Sequence, residues 1–441
     1  MENNMIDRSV APEVHSFGPL ELRKPWSEKF DNGCTLHVLR GDDTDVCRFT
    51  VAIPGGEAHN SKATPMGIVS QMLLEGTERL PGEAIAASLE DRGAWCGTGV
   101  STQYTTLTVS CLSEHLPALL PVCRDIIFSP KFDPEDVGKV LERLAAQNEV
   151  NRCKVTWQAS TANASLVYGA DHPLAFVLTP DEIRSLSPDV LRQAHYSRLD
   201  THHMHIFLSG GVSRDITEMV RREFGMVVTG CDFPVTPTPF PYYESGGEAE
   251  VDMPEAMQSA VTVTIPAPGR DDSDFVRLRI AVIALGGYFG SRLMLNIRED
   301  KGLTYGISAC LPAFRQRSFI TISTQCDCAN TEEVKREIFR ELERMKDPST
   351  FTDDELSRLS RYILSGLATV LDTPVSRMDF LQSVFLAGAR DGYFAEQDSL
   401  ARSVTAEWLS EMATKYFDAS LAFVSVAGRS VVTEDRVADN G

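Results

Sequence analysis

The sequence predicts two duplicated α+β domains, each with a β-sheet covered by helices on one face. Three observations support this fold class. The 441 residues exceed the length that one ordinary hydrophobic core accommodates, so two or more domains are expected. Each half contains short β-rich segments and longer segments with the apolar period of a helix. Several local features of the first half recur in the same order in the second, at offsets between 209 and 219 positions.

The predicted elements of the first half follow from local patterns. Residues 26–58 predict a hairpin of strands, with a turn at Asp31–Gly33 and alternating apolar residues after it. The rest of this half alternates between helical and β-rich segments. In chain order these are helices at 66–74 and 80–92, a β-rich segment at 98–112, helices at 116–127, 134 to about 161 and 188–196, and a strand at 205–209.

The second half repeats this order. Its matching features are Ile265–Pro266 for Ile53–Pro54, Glu299–Gly302 for Glu90–Gly93, Phe351 for Phe132, and Thr405–Glu407 for Ser187–Asp189. Four features at nearly one offset indicate a duplication. We therefore predict domains at 1–226 and 255–441, joined by a linker at 227–254. Four prolines stiffen the first part of that linker and two glycines loosen the second.

Composition restricts the class of protein. Hydrophobic residues make up 43% and charged residues 24% of the chain, which is typical of a globular protein. The net charge of −20 argues against nucleic acid and anionic membranes as partners, because both bind basic patches. No apolar run is long enough to span a membrane, and residues 1–10 lack the pattern of a signal peptide. We therefore expect a cytoplasmic protein whose ten cysteines are free thiols.

The stretch 285–308 carries the strongest chemical signal. Three glycines interrupt its apolar first part, and its second part has a helical period in which Phe289, Leu293 and Ile297 share one face. Gly302 is predicted to end this helix, with Arg298 before it and Tyr305 after it. A guanidinium and a phenol at that point could bind a peptide carbonyl or a carboxylate. From chemistry alone, an ion pair and a packed aromatic ring are the more frequent roles of such residues.

The pattern of this stretch closely resembles the C-terminal half of the insulinase/pitrilysin-family zinc peptidases. That family includes the mitochondrial processing peptidase and the core subunits of the respiratory bc1 complex. The matching residues are Gly286, Gly287, Ser291, Arg292, Leu293, Arg298, Glu299, Gly302, Leu303 and Tyr305. The resemblance extends over residues 25–428. It implies mainly antiparallel sheets, two domains that face each other across a cleft, and a pair, Arg298 and Tyr305, that holds the substrate backbone.

The resemblance fails at the metal-binding motif. Active relatives carry His-x-x-Glu-His on the first helix, where the two histidines bind zinc and the glutamate activates water. Counted back from Gly76-Thr77, these positions are Gly67, Ser70 and Gln71, none of which can perform those roles. The third zinc ligand of the family corresponds to Glu149, with Glu142 two turns earlier on the same helix. We expect these carboxylates to lie on the helix surface or in ion pairs, no catalytic residue, and no bound cofactor.

Other metal sites receive little support from the sequence. His203 and His205 would share a strand face and could hold a metal as a pair, but no third ligand is indicated. Cys326 and Cys328 are the closest cysteine pair, and no second pair lies at the usual zinc spacing. The sequence also contains no phosphate-binding loop, dinucleotide fingerprint or nucleophile elbow.

Three functions are compatible with these observations. The first is a non-catalytic, substrate-binding subunit of a heterodimeric zinc metallopeptidase. Its partner would be an insulinase-family subunit that carries His-x-x-Glu-His and the zinc, and its substrate would be a peptide. The second is a scaffold or peptide-binding pseudoenzyme without a proteolytic partner, for which a homodimer is an option. The third is an active peptidase that uses a metal held by His203 and His205.

Overall fold

The computed structural model describes residues 9, 18–41, 44–230 and 245–429. The first half forms a six-stranded sheet in the order β1-β2-β6-β3-β5-β4. The β2–β6 pair of this sheet is parallel, and the other four neighbouring pairs are antiparallel. The strands are β1 Trp26–Lys29, β2 Thr35–Arg40, β3 Val46–Pro54, β4 Trp95–Val100, β5 Tyr104–Leu112 and β6 His205–Gly210.

The second half forms a five-stranded sheet in the order β7-β11-β8-β10-β9. Its only parallel pair is β7–β11, and this pair occupies the position of β2–β6 in the first sheet. The two sheets therefore share one topology, apart from the additional β1 of the first. The strands are β7 Gly247–Asp252, β8 Gln258–Pro268, β9 Thr304–Cys310, β10 Arg317–Asp327 and β11 Phe423–Gly428.

Fourteen α-helices within the described residues cover these sheets. Those of the first half are α1 Met66–Met72, α2 Gly82–Glu90, α3 Leu116–Phe128, α4 Pro134–Arg152, α5 Val155–Tyr168, α6 Pro180–Arg184, α7 Pro188–Tyr196 and α8 Arg214–Phe224. Those of the second half are α9 Phe275–Val282, α10 Thr331–Arg344, α11 Asp353–Val370, α12 Pro374–Leu386, α13 Tyr393–Arg402 and α14 Ala406–Tyr416. No helix of the described chain has the length and apolarity needed to cross a bilayer.

One helix of the first half packs on the sheet of the second. Val261 and Val263 on β8 point into the core that the second half forms with its own helices. The neighbouring Ala260 points to the opposite face, because successive side chains of a strand alternate. There it packs with Ala427 against Ala159 of α5. Small side chains on both surfaces allow the helix and the sheet to approach closely.

A polar contact fixes the position of α5 on that sheet. Asn163 is buried, and its Nδ2 donates to the carbonyl oxygen of Phe423 over 3.2 Å. Its Oδ1 accepts from the hydroxyl of Thr264 at 2.7 Å. The two ends of the carboxamide therefore bond to two different strands of the second sheet. This arrangement determines how α5 lies across them.

Helix α12 of the second half makes the reciprocal contact with the first sheet. Met378 of this helix packs against Ala52, Phe207 and other apolar residues on the second face of the first sheet. An ion pair between Arg48 and Asp379 lies beside this contact. Each sheet is therefore covered by its own helices on one face and by a helix of the other half on its second face. The sequence predicted only the first of these two layers.

Several predicted elements differ from the observed ones. β1 and β2 form the hairpin around Asn32–Gly33, but β3 does not pair with β2, because β6 lies between them. The predicted helix from 134 to about 161 is two helices that are separated at Cys153–Lys154. The β-rich segment 98–112 contains the end of β4 and all of β5, so it is two strands. The division into domains with a linker at 227–254 stays a prediction; within that range, residues 247–252 form β7.

Candidate functional site

The stretch with Arg298 and Tyr305 has an unusual backbone. Two π-helical segments, Ile283–Gly287 and Met294–Asp300, interrupt the usual α-helical hydrogen bonding. Gly302 ends the second segment in the left-handed region, with a φ of 62°. The predicted stop at this glycine is therefore confirmed. Single π-helical turns are rare and occur frequently at functional sites.

The end of this helix is a widened form of a common motif. The N–H of Gly302 donates to Arg298 O at 3.1 Å, and the N–H of Leu303 donates to Ile297 O at 2.9 Å. In the Schellman motif, each corresponding bond spans one residue fewer. The extra residue is the consequence of the π-helical turn. This widened helix end places Arg298 in the last turn of the helix, shortly before the chain reverses direction and enters β9.

Arg298 contacts an exposed aromatic ring. Its guanidinium carbon lies 4.6 Å from the ring centroid of Phe289, and its Nη1 lies 3.5 Å from a carboxylate oxygen of Glu299. Its side chain is 34% exposed and makes no side-chain hydrogen bond to any described residue. The cation–π contact restricts the guanidinium without using its N–H groups. Those groups stay available to donate to a ligand.

Phe289 is the residue of this site that the sequence analysis misplaced. The predicted helical face contained Phe289, Leu293 and Ile297. The last two are fully buried, whereas Phe289 precedes the helix and is 61% exposed. Nearby, Tyr288 stacks on Tyr362 with 4.7 Å between ring centroids. The spacing of four residues predicted a helix that begins one turn too early. Gly290 separates Phe289 from the helix that contains Leu293 and Ile297.

Tyr305 lies in a β-bulge on an edge strand. The pairing of β9 with β10 shifts between Thr324 and Cys326, so Tyr305 and Gly306 together oppose Gln325. The Tyr305 side chain is 91% exposed. Bulges redirect side chains and occur frequently beside active sites. The bulge explains how a tyrosine at the beginning of a strand presents its whole ring to solvent.

Two threonine hydroxyls hold this bulge. Thr304 Oγ1 accepts from the N–H of Gly306 at 3.1 Å and lies 2.6 Å from the carbonyl oxygen of Gln325. Thr324 Oγ1 lies 2.9 Å from the carbonyl oxygen of Gly306. These contacts satisfy backbone groups that the shifted register leaves out of the ladder. Thr304 and Thr324 thus position Tyr305, a role with no signal in the sequence.

Arg292 of the same motif has a structural environment. Its Nε and Nη2 donate to the two carboxylate oxygens of Glu355 at 2.7 and 3.2 Å. Its guanidinium also donates to Thr350 and lies 3.7 Å from the ring centroid of Phe351. The Arg292 side chain is only 7% exposed. Four of its five N–H groups therefore join the π-helical stretch to α11 and the preceding Thr350, and little of the side chain is accessible to a ligand.

The positions of the family's zinc motif lie on α1. Gly67 is exposed at the helix surface, and Ser70 donates its hydroxyl to the carbonyl oxygen of Gly67 at 3.0 Å. Oε1 of Gln71 accepts from Nη2 of Arg143 at 3.1 Å. These three residues provide neither an imidazole nitrogen to bind a metal nor a carboxylate that could activate water.

Glu149 is paired with an arginine. Its Oε1 lies 2.8 Å from Nη2 of Arg184, and Nε of the same arginine lies 3.0 Å from Oε2 of Glu142. The Arg184 guanidinium lowers the pKa of Glu142, and the two carboxylates raise the pKa of Arg184. A positively charged side chain from α6 thus lies beside both carboxylates that the resemblance assigns to the metal-binding helix.

His203 and His205 contact different groups. Nδ1 of His203 lies 2.6 Å from a carboxylate oxygen of Asp200. Nδ1 of His205 lies 3.3 Å from Nε2 of His37, and the His205 ring packs against Phe385. Burial lowers the pKa of both His37 and His205 to about 4. Within the described residues, no group of three or more potential side-chain ligands surrounds a point where a metal could bind.

The thiols of Cys326 and Cys328 also have separate neighbours. The sulfur of Cys326 lies 4.0 Å from the hydroxyl of Thr331, and that of Cys328 lies 3.6 Å from the carbonyl oxygen of Ala256. Both cysteines are buried. Each therefore behaves as a small apolar side chain with a weak donor.

Family models match both halves of the chain. The model described as insulinase (peptidase family M16) matches residues 38–167, and the one described as peptidase M16 inactive domain matches residues 185–362. The chain belongs to the insulinase, or M16, peptidase family. The resemblance based on the glycine, arginine and tyrosine motif is thereby confirmed. The second match contains the whole stretch from Gly286 to Tyr305.

Individual M16 relatives are distant. An uncharacterized zinc protease of Streptomyces coelicolor is 23% identical over 300 residues, which are 66% of this chain and 64% of that protein. The match therefore spans less than two thirds of that relative. A protein of Helicobacter pylori that is named a non-peptidase homolog is 24% identical over 246 residues, 54% of this chain and 56% of that one.

The fold agrees with a solved M16 structure. The crystal structure of a peptidase M16 inactive domain from Pseudomonas fluorescens superposes with a TM-score of 0.84 at 19% identity. The superposition covers 94% of this chain and 99% of the other. The predicted fold class, two duplicated α+β domains with mainly antiparallel sheets, is confirmed.

Proposed function

We propose that this M16 chain is the non-catalytic, substrate-binding subunit of a two-chain zinc metallopeptidase. The observation that supports this most directly is the contrast between two arginines of one motif. Arg292 is buried and makes four hydrogen bonds to Glu355 and Thr350, whereas Arg298 is held only by Phe289 and Glu299 and keeps its donors available. A purely structural motif does not need the second arrangement.

In this proposal, Arg298 and Tyr305 donate to the backbone carbonyl oxygens of a peptide. β9 lies at the edge of its sheet, so its outer backbone groups are available to an extended chain. The zinc and its activated water belong to a partner that carries His-x-x-Glu-His. The present chain contributes orientation, because a guanidinium held over Phe289 and a tyrosine whose backbone is held in the bulge need less ordering during the reaction.

The existence of a zinc-bearing partner is tested with a tagged form of the full chain. A pull-down from its native cell extract, followed by sequencing of the bound proteins, should recover an M16 chain with His-x-x-Glu-His. The reconstituted pair should then cleave a fluorogenic peptide, while each chain alone should not. Arg298→Ala should lower kcat/KM of the pair by about ten-fold or more, the cost of one lost charge-assisted hydrogen bond, and Tyr305→Phe by about five-fold, the cost of one neutral hydrogen bond.

Two variants outside the site serve as matched controls. Arg152→Ala removes another arginine that packs over an aromatic ring, that of Trp157 at 5.4 Å. Tyr196→Phe removes the hydroxyl of another exposed tyrosine. Neither should change kcat/KM. If Arg298→Ala and Tyr305→Phe are equally silent, the substrate-binding assignment is wrong.

The second candidate function is a peptide-binding pseudoenzyme or scaffold without a proteolytic partner. The Helicobacter pylori relative that is named a non-peptidase homolog supports this alternative. A pull-down that returns only the chain itself would favour it, with a homodimer as the simplest form. The cytoplasmic location inferred from the sequence stays a prediction under both proposals.

A further inference from the structure

Two thiols lie side by side in the core of the first half. The Sγ atoms of Cys47 on β3 and Cys111 on β5 are 3.7 Å apart, and both residues are buried. Among the residues that the structure describes, no other two thiols are in hydrogen-bonding contact. The two cysteines are 64 positions apart in the sequence. Cys326 and Cys328, which are much closer in the sequence, each contact other groups.

The pairing of the strands gives these thiols a backbone geometry that suits a disulfide. Cys47 and Cys111 are directly opposed in the antiparallel ladder of β3 and β5. Opposed residues of such a ladder have Cα atoms about 4.5 or 5.5 Å apart, according to their place in the hydrogen-bond pattern. Disulfides form across Cα separations of about 4.4–6.8 Å, a range that contains both values. A bond between the sulfurs therefore requires side-chain rotation and little movement of the backbone.

The thiol pair lies close to the end of its sheet. Val46 and Leu112 form the next pair of the ladder, which is the last one, and are 46% and 42% exposed. On its other side, β3 pairs with β6, and Cys47 is opposed there to Gly210, the last residue of β6. Strand ends open locally at a lower cost in free energy than strand centres. A reagent of the size of water can therefore reach the sulfurs without global unfolding.

The two thiols differ in acidity. A hydrogen bond from the Cys111 thiol lowers the pKa of Cys47, and the same contact raises the pKa of Cys111. Cys34 belongs to the same core but has no thiol partner among the described residues, and burial raises its pKa to about 12. Because the thiolate is the reactive form of cysteine, Cys47 is the member of the pair that reacts first.

We propose that Cys47 and Cys111 are a site of reversible oxidation, at which hydrogen peroxide joins them in a disulfide. The Cys47 thiolate attacks one oxygen of the peroxide, the O–O bond breaks, hydroxide leaves, and Cys47 becomes a sulfenic acid. The sulfur of Cys111 then attacks the sulfur of Cys47. The S–S bond forms as the S–O bond breaks, and the departing hydroxide takes the proton of Cys111 and leaves as water. In total, two thiols lose two electrons and two protons, and one peroxide is reduced to two waters.

The second thiol makes the oxidation reversible. A sulfenic acid that meets no thiol is oxidised further to a sulfinic acid, which ordinary thiols do not reduce. The disulfide stops this sequence at a stage that a dithiol reductant reverses by thiol–disulfide exchange. This modification site does not involve Arg298 or Tyr305 and does not depend on a zinc-bearing partner.

Mass spectrometry of the unmodified full chain tests the proposal. The folded chain is treated with hydrogen peroxide, its remaining thiols are alkylated in denaturant, and it is digested without reductant. The peptides of Cys47 and Cys111 should appear cross-linked, two hydrogen atoms lighter than their sum, and should separate after treatment with dithiothreitol. Cys34 should be recovered alkylated. Absence of this cross-link would overturn the proposal, and so would a bond from Cys111 to Cys123, the other thiol whose charge affects its pKa.

Treatment of the urea-unfolded chain is the matched control. In the unfolded chain, the strand register no longer selects a partner for each thiol, so several different disulfides should form. In the folded chain, the bond between Cys47 and Cys111 should predominate. The same mixture of disulfides under both conditions would show that the fold does not direct the reaction, and would refute the assignment.

Variants test the order of the two steps. In Cys111→Ala, Cys47 should remain a sulfenic acid that dimedone labels, and excess peroxide should convert it to a sulfinic acid. In Cys47→Ala, labelling of Cys111 should be slower by about ten-fold or more, because burial still disfavours its thiolate. Cys34→Ala removes another buried thiol of the same core and should leave the cross-link unchanged. Faster labelling of Cys111 than of Cys47 would overturn the proposed order.

Discussion

Nη2 of Arg184 lies 2.8 Å from Oε1 of Glu149. The resemblance to zinc peptidases assigns Glu149 the position of the third metal ligand. In this chain, the guanidinium supplies a positive charge to the carboxylate at that position. Loss of the two histidines is thus accompanied by an ion pair that uses the carboxylate. Restoration of a metal site has to remove that competitor as well as restore the ligands.

We predict that Arg184 weakens zinc binding at a rebuilt site. The triple variant Gly67→His, Ser70→Glu, Gln71→His restores the family motif, and a fourth change, Arg184→Met, frees Glu149. The quadruple variant should bind zinc about ten-fold more tightly than the triple variant, because the ligand no longer has to leave an ion pair. Competition against a chromophoric chelator measures both affinities. Equal affinities would show that Arg184 does not compete.

Arg184→Met alone is the control for that experiment. It frees the carboxylates but supplies no histidine, and a zinc site generally requires three protein ligands. We expect this variant and the unmodified chain to retain less than about a tenth of an equivalent of zinc after dialysis. Stoichiometric zinc in the unmodified chain would contradict the assignment of the motif as inactive.

We predict that Arg292 is required for stability and Arg298 is not. Arg292→Met leaves the Glu355 carboxylate, which is 13% exposed, without its partner. Removal of one member of a buried pair costs about 3–5 kcal/mol in the free energy of unfolding. Arg298→Ala, the control six residues later, should cost less than about 1 kcal/mol, because its cation–π contact is partly exposed. Urea denaturation measures both.

A double variant separates the charge from the packing. Arg292→Met with Glu355→Leu removes both charges, so the stability should recover in part relative to Arg292→Met alone. If Arg292→Met and Arg298→Ala cost the same, the structural role given to Arg292 is wrong.

We predict that His195 makes the fold less stable in mild acid. Its Nε2 contacts the carbonyl oxygen of Ile127 at 2.8 Å, and its buried Nδ1 has no hydrogen-bond partner among the residues that the structure describes. Burial lowers the pKa of His195 to about 4. The unfolded chain therefore binds the proton first, and the free energy of unfolding falls as the pH decreases from about 6.5 to about 4.

His195→Gln keeps a donor for Ile127 and cannot titrate. It should lower the pH dependence in this window by up to about 1.4 kcal/mol per pH unit, which corresponds to one proton. His37, His59 and His205 also have pKa values near 4 through burial, so a dependence on pH should persist in the variant. Urea unfolding at pH 7.0, 5.5 and 4.5 measures it. A constant difference between variant and parent at all three values would contradict the prediction.

The sequence was informative where one residue decides the outcome. Gly302 ends its helix because a left-handed φ suits glycine. Gly67, Ser70 and Gln71 lack the atoms of a metal site irrespective of the fold. The duplication was visible because recurring short features keep their spacing. The break between α4 and α5 was not visible, since the apolar period continues through it.

Contacts between segments that are distant in the sequence could not be predicted from it. The placement of α5 on the second sheet depends on Asn163 and Thr264, which are 101 positions apart. The bulge at Tyr305 depends on hydroxyls of two strands. Such relationships appear only when the packed chain brings the partners together.

Arg292 and Arg298 show the division most clearly. The sequence by itself determined that two permanently charged guanidinium groups lie in one helical stretch, because residue type and local period are properties of the chain. Only the tertiary structure decided that one is enclosed by Glu355 and Phe351 and the other lies over the exposed ring of Phe289. The reason is physical. The cost of desolvating a charge depends on every segment packed around it, and those segments come from elsewhere in the sequence.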